Sequence, residues 1–322
     1  MMRVALLDDY QRVALRMADW KSLAPRAAVE AFPDHLADMD SLAQRLRPFH
    51  CVMLMRERTR FPRALIERLP DLRLIVTAAM WNVAIDLDAA TDHDVQVCGT
   101  GDLSDSTPEL TLGLVLGLAR RIAQEDRAVR AGRWQTTLGT ILRGKTLGVL
   151  GLGVLGTKVA TLGHALGMQM IAWSANLTAE RALAVGAVRV EKDALFERAD
   201  VLTIHLKLSD RTRGLVTALD LARMKPTAYL INTSRGPIVE EPALIAALRE
   251  GRIAGAGLDV FDQEPLPLDH PFRRLENVLL TPHIGYVSEE NYRLIYGDVL
   301  EDIRGFLDGN VIRAMNRPLT SY

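Results

Sequence analysis

The chain has little cysteine, almost no net charge and no long apolar run, and each of these absences argues against a class of function. Only Cys51 and Cys98 occur in 322 residues, and without metal-ligand spacing they are predicted to be buried thiols in a reducing compartment. The formal net charge of −1 leaves no broad basic surface for nucleic acid or an anionic membrane. The longest apolar stretch, LTLGLVLGLA, is too short to span a bilayer. We therefore expect a cytoplasmic protein without a metal, whose partners are small molecules or a second copy of itself.

The order of apolar segments predicts an α/β fold. The length exceeds what one hydrophobic core usually organises, which predicts two domains. Apolar runs alternate with helical patterns in two series, which begin at RVALLD and at LGVLG. Because the runs are nearly continuous in apolar residues, we expect parallel sheets covered on both faces. Between the series, residues 107–132 are predicted to form one long helix that Thr107 caps and that marks the domain boundary. Gly113 and Gly117 lie on one face of that helix and would let another helix approach, within the subunit or across a dimer.

The stretch GLGVLG, with Gly151, Gly153 and Gly156, predicts a dinucleotide-binding turn. It follows the apolar strand KTLGVL, opens the helical pattern TKVATLGHALG and leads to a second strand, MQMIAW. In such a turn the first glycine makes the bend, the second admits the pyrophosphate and the third allows close packing of helix and strand. The phosphate is then met by the N-terminus of the helix, beside Val154 and Leu155.

The end of the second strand leaves the choice of cofactor open. An acidic residue usually follows this strand and binds the ribose hydroxyls, but the chain has Ser174 there. A neutral serine does not repel a 2′-phosphate, so NADP fits, and Lys207 or Arg181 could bind that phosphate. Equally, Ser174 could hydrogen-bond an NAD ribose, with both cations simply solvated. The expected cofactor is therefore NAD or NADP, and the residues here leave the choice between them open.

Several ordered blocks show a resemblance to a known family. They are GLGVLG, HLKLSDRTRGLV, NTSRGPIVEEPAL, GLDVFDQEP and TPHIGY, and with them nearly the whole chain resembles the D-2-hydroxyacid dehydrogenases, which include phosphoglycerate, glyoxylate and hydroxypyruvate enzymes. The resemblance implies a Rossmann nucleotide-binding domain over residues 102–290 and a flavodoxin-like substrate domain over residues 1–101 plus 291–322, with a cleft between them. It also implies a catalytic arginine, glutamate and histidine, here Arg235, Glu264 and His283, and a homodimer is expected.

The chemistry of these three side chains supports the same assignment. Reduction of a 2-keto acid needs a hydride from nicotinamide, a proton for the carbonyl oxygen and a cation for the carboxylate. Histidine titrates near neutral pH, and a carboxylate such as Glu264 hydrogen-bonded to His283 favours its imidazolium form. The guanidinium of Arg235 matches a carboxylate and can polarise the adjacent carbonyl. All three follow apolar strands, at the edge where open α/β sheets bind ligands.

By the same resemblance, further residues line the cofactor or the substrate. Asp259 would contact the nicotinamide end, and the remaining predicted cofactor contacts are His205, Lys207, Thr212 and Thr233. Backbone N–H groups of the loop TAAMWNVAID would bind the substrate carboxylate at Ala79 and Met80, although Ala79 stands where glycine is common. Trp81 either narrows the pocket or is packed, and Arg56 and Arg58 either meet an anionic tail such as a phosphate or are exposed.

Two other functions share this scaffold. Related formate-oxidising enzymes carry glutamine at the position of Glu264, so the acid argues against that activity. A dinucleotide-sensing interaction protein, like the transcriptional corepressors that keep these catalytic residues, is the alternative from another class. Turnover of 2-keto acids would separate the two.

Overall fold

The computed structural model describes residues 1–316 and divides into two compact units. One unit is Met1–Leu103 with the chain from Val287 onward, and the other is Ser104–Tyr286. These bounds lie within a few residues of the division predicted from the sequence. None of the helices in the described part of the chain could cross a bilayer.

The first unit is built on a five-stranded parallel sheet in the order β2-β1-β3-β4-β5. Its strands are β1 Met2–Leu6, β2 Ala27–Ala31, β3 Cys51–Leu54, β4 Leu74–Thr77 and β5 Gln96–Gly99. The first helices are α1 Ala14–Met17, α2 Met39–Leu46, α3 Arg63–Ile66 and α4 Leu87–Asp92. Every residue of β3, β4 and β5 is buried, which explains their continuous apolar sequences. The edge strand β2 is half exposed, and the sequence did not reveal it.

The second unit has a seven-stranded parallel sheet in the order β12-β11-β10-β9-β6-β7-β8. Its strands are β6 Thr146–Leu150, β7 Gln169–Trp173, β8 Val188–Arg189, β9 Val201–Ile204, β10 Tyr229–Asn232, β11 Gly255–Leu258 and β12 Val278–Leu280. Its helices are α5 Ser106–Ala119, α6 Ile122–Arg130, α7 Val154–Ala165, α8 Ala179–Leu183, α9 Lys192–Arg198, α10 Ala218–Arg223 and α11 Glu241–Arg249. The strand order reverses between β6 and β9, and such a switch point is where open sheets bind ligands.

The last helix, α12 Glu289–Leu307, belongs to the first unit. The side chain of Ser288 caps it by accepting the N–H of Asn291. Its buried Tyr296 meets Trp20 edge-on, with ring centroids 6.2 Å apart. This helix therefore joins the C-terminal part of the chain to the core formed by the N-terminal hundred residues.

The predicted long helix over residues 107–132 is wrong in two respects. It is two helices, because Arg121 adopts a left-handed conformation with φ 54° between α5 and α6. Thr107 is not the cap: α5 begins at Ser106, and the Thr107 hydroxyl donates instead to the carbonyl oxygen of Gly285. A Cβ on Gly117 would lie 2.7 Å from the side chain of Leu279, so this glycine admits strand β12 and not another helix.

Candidate active site

The glycine turn after β6 is shaped by close backbone approaches. Gly151 has φ +103°, and a Cβ there would lie 2.6 Å from the carbonyl oxygen of His205. A Cβ on Gly156 would lie 2.1 Å from the carbonyl oxygen of Gly151. Any side chain at either position would therefore collide with backbone, which explains two of the three glycines.

Gly153, the middle glycine, faces open space instead. No atom of the described chain lies within 4 Å of the position its Cβ would take, and the residue is exposed. It is the N-cap of α7 and supplies no side-chain cap, so the amides of Val154 and Leu155 open the helix without a side-chain partner. An open cradle above uncapped N–H groups fits a pyrophosphate, which the helix dipole also favours.

Ser174 follows β7 directly and is half buried, and its contact with the adenosine ribose stays a prediction. Its carbonyl oxygen accepts the N–H of Leu177, which turns the chain into α8. Arg181 lies in α8 and Lys207 in the loop after β9, and both are exposed. Because residue 174 is a serine, the carboxylate that usually follows this strand and binds the ribose hydroxyls is missing at this position.

The other predicted cofactor residues lie in loops at the carboxyl edge of the same sheet. Nε2 of His205 lies 2.8 Å from the hydroxyl of Thr203, and burial lowers the pKa of His205 to about 4, so this ring is neutral. The hydroxyl of Thr212 donates to the carbonyl oxygen of Lys207, which closes a local turn. The hydroxyl of Thr233 lies 2.8 Å from that of Thr111, which ties the loop after β10 to helix α5.

Arg235, Glu264 and His283 follow three adjacent strands, β10, β11 and β12. Since the strands are parallel, their carboxyl ends meet at one edge of the sheet. Gly236 brings the first two loops together, because a Cβ there would lie 2.2 Å from the carbonyl carbon of Phe261. The three side chains are therefore carried by neighbouring loops.

Glu264 and His283 form a direct pair. Oε2 of Glu264 lies 2.6 Å from Nδ1 of His283, while Oε1 accepts the N–H of Phe261 at 2.9 Å. The ring of Tyr286 meets the imidazole edge-on, with centroids 5.6 Å apart. Nε2 of His283 has no hydrogen-bond partner among residues 1–316. The carboxylate thus fixes the ring through one nitrogen and leaves the other for chemistry.

Asp259 holds the loop that carries His283. Its fully buried carboxylate accepts the hydroxyl of Thr281 at 2.6 Å and the N–H groups of Ile284 and Gly285, both at 2.8 Å. Burial raises the pKa of Asp259, and these hydrogen bonds oppose the shift. His283 itself has φ 53°, so the loop maintains an uncommon backbone conformation. The predicted contact of Asp259 with nicotinamide stays a prediction.

In the first unit, the predicted carboxylate-binding loop follows β4. Ala79 has φ 71°, which explains why glycine suits this position. Its N–H is already donated to the hydroxyl of Thr100, whereas the amide of Met80 has no partner in the described chain. The buried side chain of Asn82 supports the loop by donating to Thr77 and to the carbonyl oxygen of Arg56. Trp81 is partly exposed, and so is Met80.

The two arginines after β3 are engaged. Nη2 of Arg56 lies 2.7 Å from Oδ2 of Asp102. Nη1 of Arg58 donates to the carbonyl oxygen of Asp8 at 2.7 Å, and its guanidinium lies 4.7 Å from the ring centroid of Tyr10. The sequence placed both arginines directly after β3 but did not reveal Asp102 as a partner, since it is 46 residues away from Arg56.

Comparison with known proteins identifies the scaffold. Residues 112–285 match the family model for the NAD-binding domain of D-isomer specific 2-hydroxyacid dehydrogenases. A glyoxylate reductase of Aeropyrum pernix is 40% identical over 257 residues, which cover 77% of each chain. A D-3-phosphoglycerate dehydrogenase of Synechocystis is 37% identical, and the match spans 84% of this chain but 50% of that relative. The structure of a phosphoglycerate oxidoreductase from Vibrio cholerae superposes with a TM-score of 0.92 at 35% identity, over 96% of this chain and 99% of that one.

The chain therefore belongs to the D-isomer specific 2-hydroxyacid dehydrogenase family. It is an oxidoreductase that uses a nicotinamide dinucleotide and acts on the CH–OH group of 2-hydroxy acids.

Proposed function

We propose that the chain reduces a small 2-keto acid, with Arg235, Glu264 and His283 as its catalytic residues. The observation that carries this proposal is the 2.6 Å contact between Glu264, in the loop after β11, and His283, in the loop after β12. Strand β11 is also the neighbour of β10, whose loop carries Arg235. A positioned acid and a guanidinium at the carboxyl edge of a dinucleotide-binding sheet are what this reduction needs.

Each group has a separate task. The nicotinamide, when bound, supplies the hydride to the carbonyl carbon. Nε2 of His283 donates the proton to the carbonyl oxygen, and Glu264 at Nδ1 stabilises the imidazolium before transfer. Arg235 binds the substrate carboxylate and polarises the carbonyl. In the first unit, the amide of Met80 is proposed to bind the carboxylate, with Arg56 near the substrate tail, whereas the N–H of Ala79 is already donated to Thr100.

For the cofactor, we propose a nicotinamide dinucleotide, with NAD and NADP as the two alternatives that Ser174 leaves open. Ser174 provides neither the carboxylate that would hold two ribose hydroxyls nor a charge that would repel a 2′-phosphate. The open cradle at Gly153 and the amides of Val154 and Leu155 serve the pyrophosphate that both cofactors share.

We further propose a homodimer that forms through residues 133–142. This segment forms neither helix nor strand, yet the carboxylate of Glu125 fixes it by accepting the hydroxyls of Thr136 and Thr137. It nevertheless exposes Leu138 to 93% and Trp134 to 77%. Large apolar side chains on a fixed segment favour a protein partner, and a second copy is the partner we expect. Leu138→Asp should yield a monomer in sedimentation velocity, and an unchanged mass would contradict this interface.

A cytoplasmic location is also proposed. Cys51 and Cys98 are both buried free thiols, and burial raises the pKa of each, that of Cys98 to about 12. Such thiols are unreactive and fit a reducing compartment, where they stay unpaired.

Steady-state turnover tests the main proposal. A panel of glyoxylate, pyruvate and hydroxypyruvate is offered with NADH and with NADPH, and oxidation of the cofactor is followed by absorbance. At least one keto acid should be reduced, and His283→Ala should abolish most of that rate. If the native chain binds dinucleotide but reduces none of them, a dinucleotide-sensing protein replaces the enzyme.

A further inference from the structure

An ion pair crosses the carboxyl edge of the five-stranded sheet in the first unit. Arg56 follows β3 and Asp102 follows β5, and β4 lies between these strands. The 2.7 Å contact between the two side chains therefore spans the end of β4, where the loop with Ala79 and Met80 begins. The pair thus borders the loop that is proposed to bind the substrate carboxylate.

The pair is fixed from both sides. The carbonyl oxygen of Arg56 accepts the side-chain N–H of Asn82 at 2.8 Å. Oδ1 of Asp102 accepts the side-chain N–H of Asn291 at 3.1 Å, and Asn291 is completely buried in α12. The exposed fractions are 18% for the Arg56 side chain and 32% for that of Asp102. Fixed and partly buried, this contact differs from a loose pair of surface charges.

The second cation of the same loop is occupied as well. Arg58 donates to the carbonyl oxygen of Asp8, and the carboxylate of Asp8 in turn accepts the hydroxyl of Thr59 and pairs with His35. Of the three arginines in the loop after β3, Arg56 pairs with a carboxylate, Arg58 donates to a backbone carbonyl oxygen and Arg60 is exposed. A phosphate group there would have to displace Asp102 from Arg56 and would still lie close to its charge.

We propose that Asp102 determines substrate class: it neutralises Arg56 and so selects 2-keto acids with a small uncharged tail over those with a distal phosphate. This inference rests on the proposed function, because it concerns the tail of the keto acid that the enzyme reduces. Arg56 then contacts the tail of the keto acid while Asp102 neutralises its charge. Removal of the Asp102 charge would release Arg56 for a dianion.

The test compares two keto acids that differ only by a phosphate, hydroxypyruvate and 3-phosphohydroxypyruvate. The native chain should have the higher kcat/KM for hydroxypyruvate. In Asp102→Asn, which keeps the shape and an oxygen acceptor for Asn291, the ratio should move toward the phosphorylated acid by about tenfold, or about 1.4 kcal/mol. Asp92→Asn is the matched control, because it removes the partner of Arg63, 2.6 Å away on the same unit, and should leave the ratio unchanged.

A second variant keeps the inference testable if Asp102→Asn does not fold. If Arg56 is neutralised, Arg56→Gln should change the ratio of the two keto acids by less than about threefold. Three results would each overturn the inference alone. The native chain could prefer 3-phosphohydroxypyruvate, or Arg56→Gln could lose activity on that substrate selectively. The third is an unchanged ratio of the two kcat/KM values in folded Asp102→Asn. Absence of turnover of every keto acid by the native chain would overturn the proposed function with it.

Discussion

Glu264 and His283 lie 2.6 Å apart although they are 19 positions apart in the sequence, and each is held by its own loop. Glu264 is fixed through its second oxygen by the N–H of Phe261, and the loop of His283 is fixed by the buried carboxylate of Asp259. The pair is therefore set in place by the protein alone. Such preorganisation is expected of an acid that must donate at one defined atom.

The first prediction concerns His283 as the proton donor. His283→Ala should lower kcat for keto-acid reduction by about a hundredfold or more, since a positioned general acid is lost. Dinucleotide affinity, measured by fluorescence titration, should stay nearly unchanged because the pyrophosphate is proposed to bind at the amides of the glycine turn and not at His283. His93→Ala is the control, since His93 also lies near a glutamate, Glu67, at 3.8 Å but in the first unit. Near-normal turnover in His283→Ala would contradict the assignment.

The second prediction is that Glu264 acts through His283. Glu264→Gln keeps the shape of the side chain but loses the carboxylate that holds Nδ1 of His283 at 2.6 Å, so kcat for keto-acid reduction should fall by about tenfold or more. In the His283→Ala background the same change should have almost no further effect on kcat, because the group that Glu264 positions is absent. Additive losses in the double variant would show that Glu264 does not act through His283.

The third prediction separates two glycines of the same turn. Gly156→Ala should lower the melting temperature, because its Cβ would lie 2.1 Å from the carbonyl oxygen of Gly151. Gly153→Ala should fold normally, since its Cβ meets nothing within 4 Å, but should weaken dinucleotide binding by about tenfold or more if the methyl occupies the pyrophosphate space. Normal cofactor affinity in Gly153→Ala would place the pyrophosphate elsewhere.

Much of this molecule could be predicted because its signals are local. The strands that precede Arg235, Glu264 and His283 are continuous apolar runs, and the glycine turn stands between a strand and a helix in the sequence itself. The break at Arg121 gave no such signal, because neither glycine nor proline marks it. Strands β2 and β8 were missed because they lie at sheet edges, where burial is partial and the apolar pattern is weak.

The interactions that the sequence did not reveal are pairs between distant segments. Asp102 and Arg56 meet only because β3 and β5 end at the same edge of one sheet. The resemblance gave Asp259 a contact with nicotinamide, but the sequence did not reveal that its carboxylate binds three groups of the loop after β12. A strand pattern tells where a side chain emerges, but its partner depends on strand order, which periodicity does not encode.

The fourth prediction concerns a buried acid in α12. Asp302 is fully buried near Arg313, whose Nε lies 3.2 Å from Oδ1, and burial raises the pKa of Asp302 to about 7 despite that cation. The folded state therefore keeps a proton that the unfolded chain loses near pH 4. The free energy of unfolding should therefore fall as pH rises from about 4 to about 7, and it should stay constant above pH 7. Asp298 and Glu301 also face Arg313 and keep it paired.

Asp302→Asn isolates this contribution. As pH rises from 5 to 8, the variant should gain stability relative to the native chain by about 1 kcal/mol or more, because the amide cannot ionise. Urea unfolding at several pH values measures the difference. If the free energies of unfolding of the two proteins change in parallel with pH, Asp302 does not titrate in this range.

The last prediction concerns Ser174 and the choice of cofactor. Ser174→Asp places a carboxylate at the end of β7, where it should repel the 2′-phosphate of NADPH and accept hydrogen bonds from the ribose hydroxyls of NADH. The ratio of kcat/KM values for NADH and NADPH should move toward NADH by about tenfold or more, about 1.4 kcal/mol of transition-state binding. Lys207→Ala provides the comparison: a selective loss of NADPH would place its ammonium at the phosphate, and equal losses would assign it to general positioning. If the ratio does not move in Ser174→Asp, residue 174 does not face the adenosine ribose, and another loop must recognise it.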